Sequence, residues 1–393
     1  MPVSSEAYIV AFTRSAFTKA KRGGFRFTRT DDLATVLLQG LLQKIPSLEA
    51  SRVDDVIVGC ANPEGEQGLQ IGRQISLRAF GKEVPGMTIN RYCASGLESL
   101  AIATAKIRTG MANCIVAGGV ESMSMVPLEG YKLSPSYQLV TEHADYLVGM
   151  GLTAEAVAKK HHVNREQQDL FAFQSHAKAA RARQMGIFKE EIQAVEVTEQ
   201  YATEDGPQQR VQWVDTDDGI RENTSLDALA ALKPVFEKNG TVTAGNSSQT
   251  TDGAAFHVLV SEKLLKELNL HPLGRMVSSY VAGVDPLYMG LGPSAAIPGA
   301  LHQAGLRIHD IQLIELNEAF AAQALAVIRI SDLDPELVNV HGGAIALGHP
   351  LGCSGARLAM TLLLELKRRK QRYGLVTACV GGGQGIAAVL ERF

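Results

Sequence analysis

The chain has 393 residues, 46% hydrophobic and 20% charged, with a formal net charge of −3. That length fits two or three domains and that composition fits a globular protein. The near balance of charge excludes the strong basic footprint of a nucleic-acid binder, and no run of about 18 apolar residues predicts a membrane span.

The N-terminal stretch MPVSSEAYIVAF has no basic region followed by a long apolar core, and the final VLERF carries no receptor-read address. The expectation is a cytoplasmic protein. Of the cysteines, Cys60, Cys93, Cys114, Cys353 and Cys379, none is in C-x-x-C spacing or in a Cys/His cluster of zinc-ligand spacing. Their odd, scattered count argues against a disulfide framework and for a reducing compartment, and no metal is expected.

In chain order, Val53–Gly59 reads as a strand and Gly86–Asn90 as a short β-like stretch. Residues 95–109 read as a helix ended by Gly110, small or apolar nearly all round until Lys106, hence buried. Cys114–Gly119 reads as a buried strand. Residues 121–250 differ in character: they are charged, with a long helical pattern over Thr153–Met185 and a polar turn at Glu204-Asp205-Gly206-Pro207. They look like an insertion. Ala255–Val260 is strand-like again, as are Ile311–Leu316 and Gly374–Cys379, with helices predicted over Glu318–Ile330 and Ser354–Lys370. The last helix ends in Lys367-Arg368-Arg369-Lys370, which suits the negative end of a helix dipole. CASG at 93–96 and GCSG at 352–355 each open a helix that leads to a strand, so two similar α/β halves are expected.

Four stretches sit at strand-end or helix-start junctions, where open α/β sheets gather ligands. Cys93 precedes a helix, whose N-terminal dipole favours a thiolate; a core cysteine in a tight turn is the bland reading. His349 lies among glycines and before a proline, on a shaped loop and not on a helix face, where it can serve as general base or simply bond backbone. Cys379 begins CVGGGQG. No βαβ unit follows, so this is not a dinucleotide loop. Its glycines instead expose backbone N–H groups, as an oxyanion hole requires. Asn317 follows a strand, as an N-cap or as a donor to an oxyanion. Two thiols, an imidazole and an amide converging there suit acyl transfer.

Over nearly its whole length the chain resembles the thiolase family. The motifs are NRYCASGLES (90–99), GGVESM (118–123), GMGLTAE (149–155), TVTAGNSSQTTDG (241–253), GVDPLYMGLGP (283–293), NEAFA (317–321), GGAIALGHPLGCSG (342–355) and CVGGGQG (379–385). The resemblance implies a five-layered α-β-α-β-α core from two similar halves with an inserted loop domain. The divisions expected are 1–120 plus 251–272 (the half with the nucleophile), 121–250 (the insertion, binding CoA) and 273–393 (the half with the histidine and second thiol).

By motif position, Cys93 resembles the nucleophile that carries the acyl group, His349 its activating base, and Cys379 the acid/base that exchanges a proton with the acetyl methyl. Asn317, with His349, resembles the residue holding a water in one oxyanion hole; the backbone N–H groups of Cys93 and Gly381 resemble the second. Arg221, Ser248 and Met289 fall where the family contacts CoA or acyl substrate. The implied activity is thiolytic cleavage of 3-ketoacyl-CoA in fatty-acid β-oxidation, with CoA as substrate and no permanently bound cofactor. Thr18–Phe25, Asp31–Ala34, SSQTTDGAA and Cys353 look more like the degradative branch, whereas AFTRSAF departs from the commoner A-x-R-T-P pattern. A short-chain acetoacetyl-CoA enzyme running Claisen condensation is the alternative, and a non-catalytic lipid carrier a more distant one. A ketoacyl synthase would place a second histidine at Asn317 and lack Cys379. The family implies a homodimer or homotetramer and admits a hydratase/dehydrogenase partner.

Overall fold

The computed structural model describes residues 6–204 and 206–393. The first five residues of the N-terminal stretch, and Asp205 of the predicted polar turn, lie outside them. The strands among the described residues are β1 (Ala7–Arg14), β2 (Thr18–Lys19), β3 (Asp55–Gly59), β4 (Gly86–Ile89), β5 (Cys114–Ser122), β6 (Val195–Thr203), β7 (Gly206–Val214), β8 (Thr251–Ser261), β9 (Gly274–Gly283), β10 (Leu313–Leu316), β11 (Tyr373–Val380) and β12 (Gln384–Arg392).

Two mixed sheets repeat one connectivity. In the first, the order is β4-β3-β5-β8-β1, with β3 parallel to β4 and β5, and β8 antiparallel to both its neighbours. In the second, the order is β10-β11-β12-β9, with β10 parallel to β11 and the rest antiparallel. Val338 bridges Ile314 in parallel, at the place β4 holds in the first sheet. The two sheets meet through the pairing of Ile9 with Gly274. β8 returns to the first sheet only after the excursion of residues 123–250, part of which is the separate hairpin β6-β7.

The central strands are buried on both faces, and their side chains alternate between the cores on either side. Ile57, Ile115 and Ala117 face a central core with Val376, Ala378 and Ala388 of the other sheet. Val56, Val58 and Val116 face the opposite way, onto helices Thr30–Gln43 and Ile71–Phe80. Ile314, Leu316 and Val389 pack on helices Gly292–Ala304 and Ala321–Ile330. Between the sheets lie helices Ser95–Arg108 and Leu351–Arg369. The result is the five-layered α-β-α-β-α core of two similar halves.

Two predicted helices differ. The pattern over Thr153–Met185 is two helices, Met150–Lys160 and Arg165–Gln184. His162 takes a left-handed φ of 52°, and Asn164 and Gln167 form a capping box that starts the second helix. The helix predicted from Glu318 begins instead at Ala321, because Phe320 pairs with Ser247 and Ala321 donates to the Asn246 carbonyl. Tertiary pairing holds Phe320 extended as the N-cap, so Asn317 is not the N-cap.

The two central helices cross at their first turns, where only glycine fits. A Cβ at Gly96 would stand 2.8 Å from the Ala356 nitrogen, and one at Gly355 2.5 Å from the Leu97 nitrogen. Beneath them, a Cβ at Gly119 would lie 1.9 Å from the Gly352 carbonyl oxygen. The Gly119→Ala variant is therefore expected to lose about 3 kcal/mol, the upper end of overpacking costs. Urea unfolding should show a lowered midpoint at unchanged slope; a midpoint equal to the parent's would mean the crossing can yield.

Candidate active site

Cys93 sits in the short turn Tyr92–Ala94 that leads into helix Ser95–Arg108. Of the five cysteines it is the one whose residue is partly exposed, while its thiol points inward and is desolvated. The residue before it, Tyr92, has a φ of 44°, a strained value for a residue with a side chain. Local bonds hold that conformation: Tyr92 N–H donates to Asn90 Oδ1 (2.8 Å) and Ser95 Oγ donates to the Tyr92 carbonyl (2.7 Å). The backbone N–H groups of Gly381 and of Cys93 itself face the sulfur and favour its thiolate.

Burial works the other way and wins, pushing the Cys93 thiol up to about 11. Desolvation moves a buried group by up to 3–5 pKa units, while a helix end contributes about 0.3–1 kcal/mol. The thiolate favoured by the helix end is thus outweighed in the substrate-free protein.

Cys379 is near the end of β11, 1% exposed. Burial, and then the neighbouring Cys93, push its thiol far up. It packs with Met289, Phe320, Val242 and Ala154, so Met289 lies in the apolar wall around the second thiol. The hairpin turn after Cys379 is tight: Gly382 and Gly383 have φ of 79° and 83°, and a Cβ on Gly383 would meet the Val284 carbonyl at 2.4 Å.

His349 follows Gly348, whose φ is 98°, and precedes Pro350, the N-cap of the second central helix. That helix packs against the Tyr92–Ala94 turn. His349 Nδ1 lies 2.6 Å from Ser354 Oγ, which itself donates to the Pro350 carbonyl (2.9 Å). The hydroxyl has one hydrogen and it is committed, so Nδ1 carries the imidazole proton. Nε2 is left as the basic nitrogen, 3.2 Å from Asn317 Nδ2. Burial, and more weakly Arg357, pull His349 down to about 3. Asn317 is fully buried at the end of β10, and its Oδ1 has no protein partner.

Arg221 and Ser248 stand outside the thiol cluster. Arg221 is exposed and lines a groove of about 420 Å³ with Glu222, Asn223, Thr224, Ala228 and Leu232. Ser248 is half-buried, and its N–H donates to the Ala319 carbonyl, just after Asn317. Sequence reasoning missed Ser354, Tyr92 and Glu121. Ser354 could have been found five residues after His349, across the start of the same helix. Glu121 is buried and accepts from the N–H groups of Ala61, Asn62 and Gly352 and from Gln67; nothing in GGVESM signals that its carboxylate turns inward.

The class is that of the two-half α/β acyltransferases. The family descriptions "Thiolase, N-terminal domain" and "Thiolase, C-terminal domain" match residues 7–263 and 270–392. The 3-ketoacyl-CoA thiolase of Bacillus subtilis (strain 168) is 49% identical over 388 residues, covering 98% of this chain and 99% of that protein. The crystal structure of the Bacillus anthracis acetyl-CoA acetyltransferase superposes with a TM-score of 0.90 at 36% identity, covering 100% of both chains. Human mitochondrial 3-ketoacyl-CoA thiolase in complex with CoA does so with 0.89 at 37%, covering 100% of this chain and 99% of that one. The chain belongs to the thiolase family.

A raised Cys93 pKa means that thiolate is scarce at neutral pH and grows as pH climbs toward about 11. Iodoacetamide labelling of Cys93 in the substrate-free protein, followed by peptide mass spectrometry, is expected to keep accelerating above pH 8.5, where a free thiol is half ionised. A plateau near neutral pH would show that an ion pair with His349 already exists at rest.

Proposed function

We propose that the protein cleaves 3-ketoacyl-CoA with CoA, giving acetyl-CoA and a shortened acyl-CoA, as a thiolase of fatty-acid β-oxidation. The observation that carries the reading is that two thiols from different halves are near neighbours, with the N–H groups of Cys93 and Gly381 facing the first. Cys93 sulfur attacks the 3-keto carbon as its proton passes to His349 Nε2. The bond between C2 and C3 breaks, and its electron pair stays on the acetyl-CoA enolate. Asn317 and His349 stabilise the enolate oxygen, and Cys379 protonates the carbon. The CoA thiol then passes its proton to the Cys379 thiolate as its sulfur attacks acyl-Cys93, and the freed Cys93 sulfur takes its proton back from His349. Because Cys93 and His349 are both neutral at rest, the proton moves as the carbon–sulfur bond forms.

The nucleotide of CoA is placed in the groove beside Arg221, with Ser248 between it and the thiols. Residues 1–120 with 251–272 form the nucleophile's half, 121–250 the CoA-binding insertion and 273–393 the half bearing His349 and Cys379. The reading makes the protein a cytoplasmic homodimer or homotetramer, able to serve a hydratase/dehydrogenase partner. The likeness to an acetyl-CoA acetyltransferase structure favours a second reading, a short-chain enzyme working in the condensing direction.

Thiolysis across 3-ketoacyl-CoA substrates of four to sixteen carbons separates the two. Turnover rising with chain length is expected; activity confined to acetoacetyl-CoA would establish the short-chain reading instead, and none at any length would remove both. The roles of the thiols are tested by intact mass. Cys379→Ala is expected to accept an acyl group from acyl-CoA on Cys93 yet catalyse no carbon–carbon cleavage, and Cys93→Ala to accept none. An unmodified Cys379→Ala protein would overturn this division of labour.

A further inference from the structure

One side chain bonds at once to the segment that leads into the Arg221 groove and to the segment that carries His349. Gln249 Nε2 donates to the carbonyls of Gly219 (2.9 Å), Ile345 (2.9 Å) and Ala346 (3.2 Å). Three carbonyl partners fix the amide orientation, since only its NH2 end can face them. The backbone carbonyl of Gln249 accepts the N–H of His349 at 3.0 Å, so the side-chain clip springs from the residue that holds His349. Two N–H hydrogens serve three carbonyls, so the clip can trade between its two sides.

That clip joins the two segments by side-chain hydrogen bonds, beside their direct packing and a path through helix Arg165–Gln184, where His176 Nδ1 accepts the Arg221 N–H and Ser175 Oγ accepts the Gly343 N–H. Upstream, the groove segment is anchored: Asp217 receives Arg14 and the Phe17 N–H, and Asp218 receives the Lys19 N–H. Downstream comes Arg221, exposed in the groove. Between them, Ile220 packs on Ala346 and Leu347, and a Cβ on Gly219 would stand 2.5 Å from the Ala346 carbonyl oxygen. The short helix Ala344–Leu347 ends at Gly348, whose φ of 98° makes a natural pivot before His349.

We propose that Gln249 is a positioning residue that couples occupation of the Arg221 groove by the nucleotide of CoA to the placement of His349. The inference rests on the thiolase reading above. Binding energy from the unreactive nucleotide end is spent on aligning the base, so it appears in the rate and not only in affinity.

The test is deacylation of preformed acyl-enzyme at saturating thiol, with CoA or with pantetheine, which has the same reactive end and no nucleotide. In the parent protein CoA is expected to deacylate faster than pantetheine by roughly tenfold or more, within the range usual for coupled sites. In Gln249→Met that ratio should fall to near one, because the CoA rate drops while the pantetheine rate holds, and the half-saturating CoA concentration should stay within about threefold. Equal losses with both thiols would make Gln249 merely structural. A change confined to half-saturation would make it an ordinary binding residue. A parent ratio near one would remove the coupling altogether, and each of these overturns the proposal. Gly219→Ala reaches the same clip from the groove side and should collapse the same ratio, which keeps the test decisive should Gln249→Met fail to fold. A parent protein that never forms acyl-Cys93 overturns the thiolase reading first, and the coupling with it.

Discussion

The structure depends on the close crossing of two buried helices at their N-terminal turns. Each helix enters from a loop that carries a reactive group, Cys93 on one and His349 on the other. Had the helices crossed at their middles, those loops would lie at separate ends of the central layer. The crossing occurs at the first turn because Gly96, Gly352 and Gly355 leave backbone against backbone there. Gly59 and Gly119 let the first sheet approach the same point, with would-be Cβ atoms 2.6 Å from the Ser95 carbonyl carbon and 1.9 Å from the Gly352 oxygen. Glycine is entropically costly inside helices and strands, by about 0.5–1 kcal/mol each relative to alanine. The apolar layers around Leu100, Ile107, Met360 and Leu366 offset that cost.

Such a site is dry, and dryness sets its electrostatics. Both thiols are pushed toward the neutral form and the imidazole is held neutral as well. A resting ion pair would have to overcome desolvation of two charges with little help from solvent. The arrangement instead offers fixed dipoles at the points where charge would develop: the N–H groups of Gly381 and Cys93, and the side chains of Asn317 and His349. Such groups do not have to reorient during reaction, and their strength grows as the surroundings become less polar.

Much of this was legible in sequence. The CASG and GCSG echo reflects the paired helix entrances, and Cys93, His349, Asn317 and Cys379 were singled out because Gly, Pro and strand ends bracket them. What escaped was set by tertiary pairing. Residues 318–320 look helical by composition, but the backbone of 319–321 is paired with Asn246, Ser247 and Ser248, more than seventy positions away. Gln249 and Glu121 carry no local signal, since each acquires its partners only when separate segments meet. The fate of the Cys93 proton was likewise hidden: a helix start can be read from sequence, but the depth of burial that outweighs its dipole cannot.

The duplication also explains why one of two equivalent helix entrances carries the thiol chemistry and the other does not. The last pairs of the parallel ladders, Gly59 with Gly119 and Leu316 with Thr377, are equivalent positions in the two sheets. Counting on from them, Cys60 corresponds to Asn317 and Glu121 to Cys379. The CASG and GCSG echo makes Gly352 the counterpart of Cys93. In the first sheet, Glu121 accepts the Gly352 N–H at 2.8 Å and Cys60 lies beside that carboxylate, so the set anchors the N-terminus of the second central helix. In the second sheet the equivalent set is Asn317, Cys379 and Cys93: Cys93 opens the first central helix with Cys379 beside it, and Asn317 reaches His349. A carboxylate at a helix end satisfies backbone donors and freezes the turn. Where Cys379 stands instead, no carboxylate takes up the donors of the turn, and the Cys93 and Gly381 N–H groups face the Cys93 sulfur and whatever is bonded to it. One copy of the motif therefore holds the crossing rigid, and the other is free to be reactive because its twin supplies the rigidity.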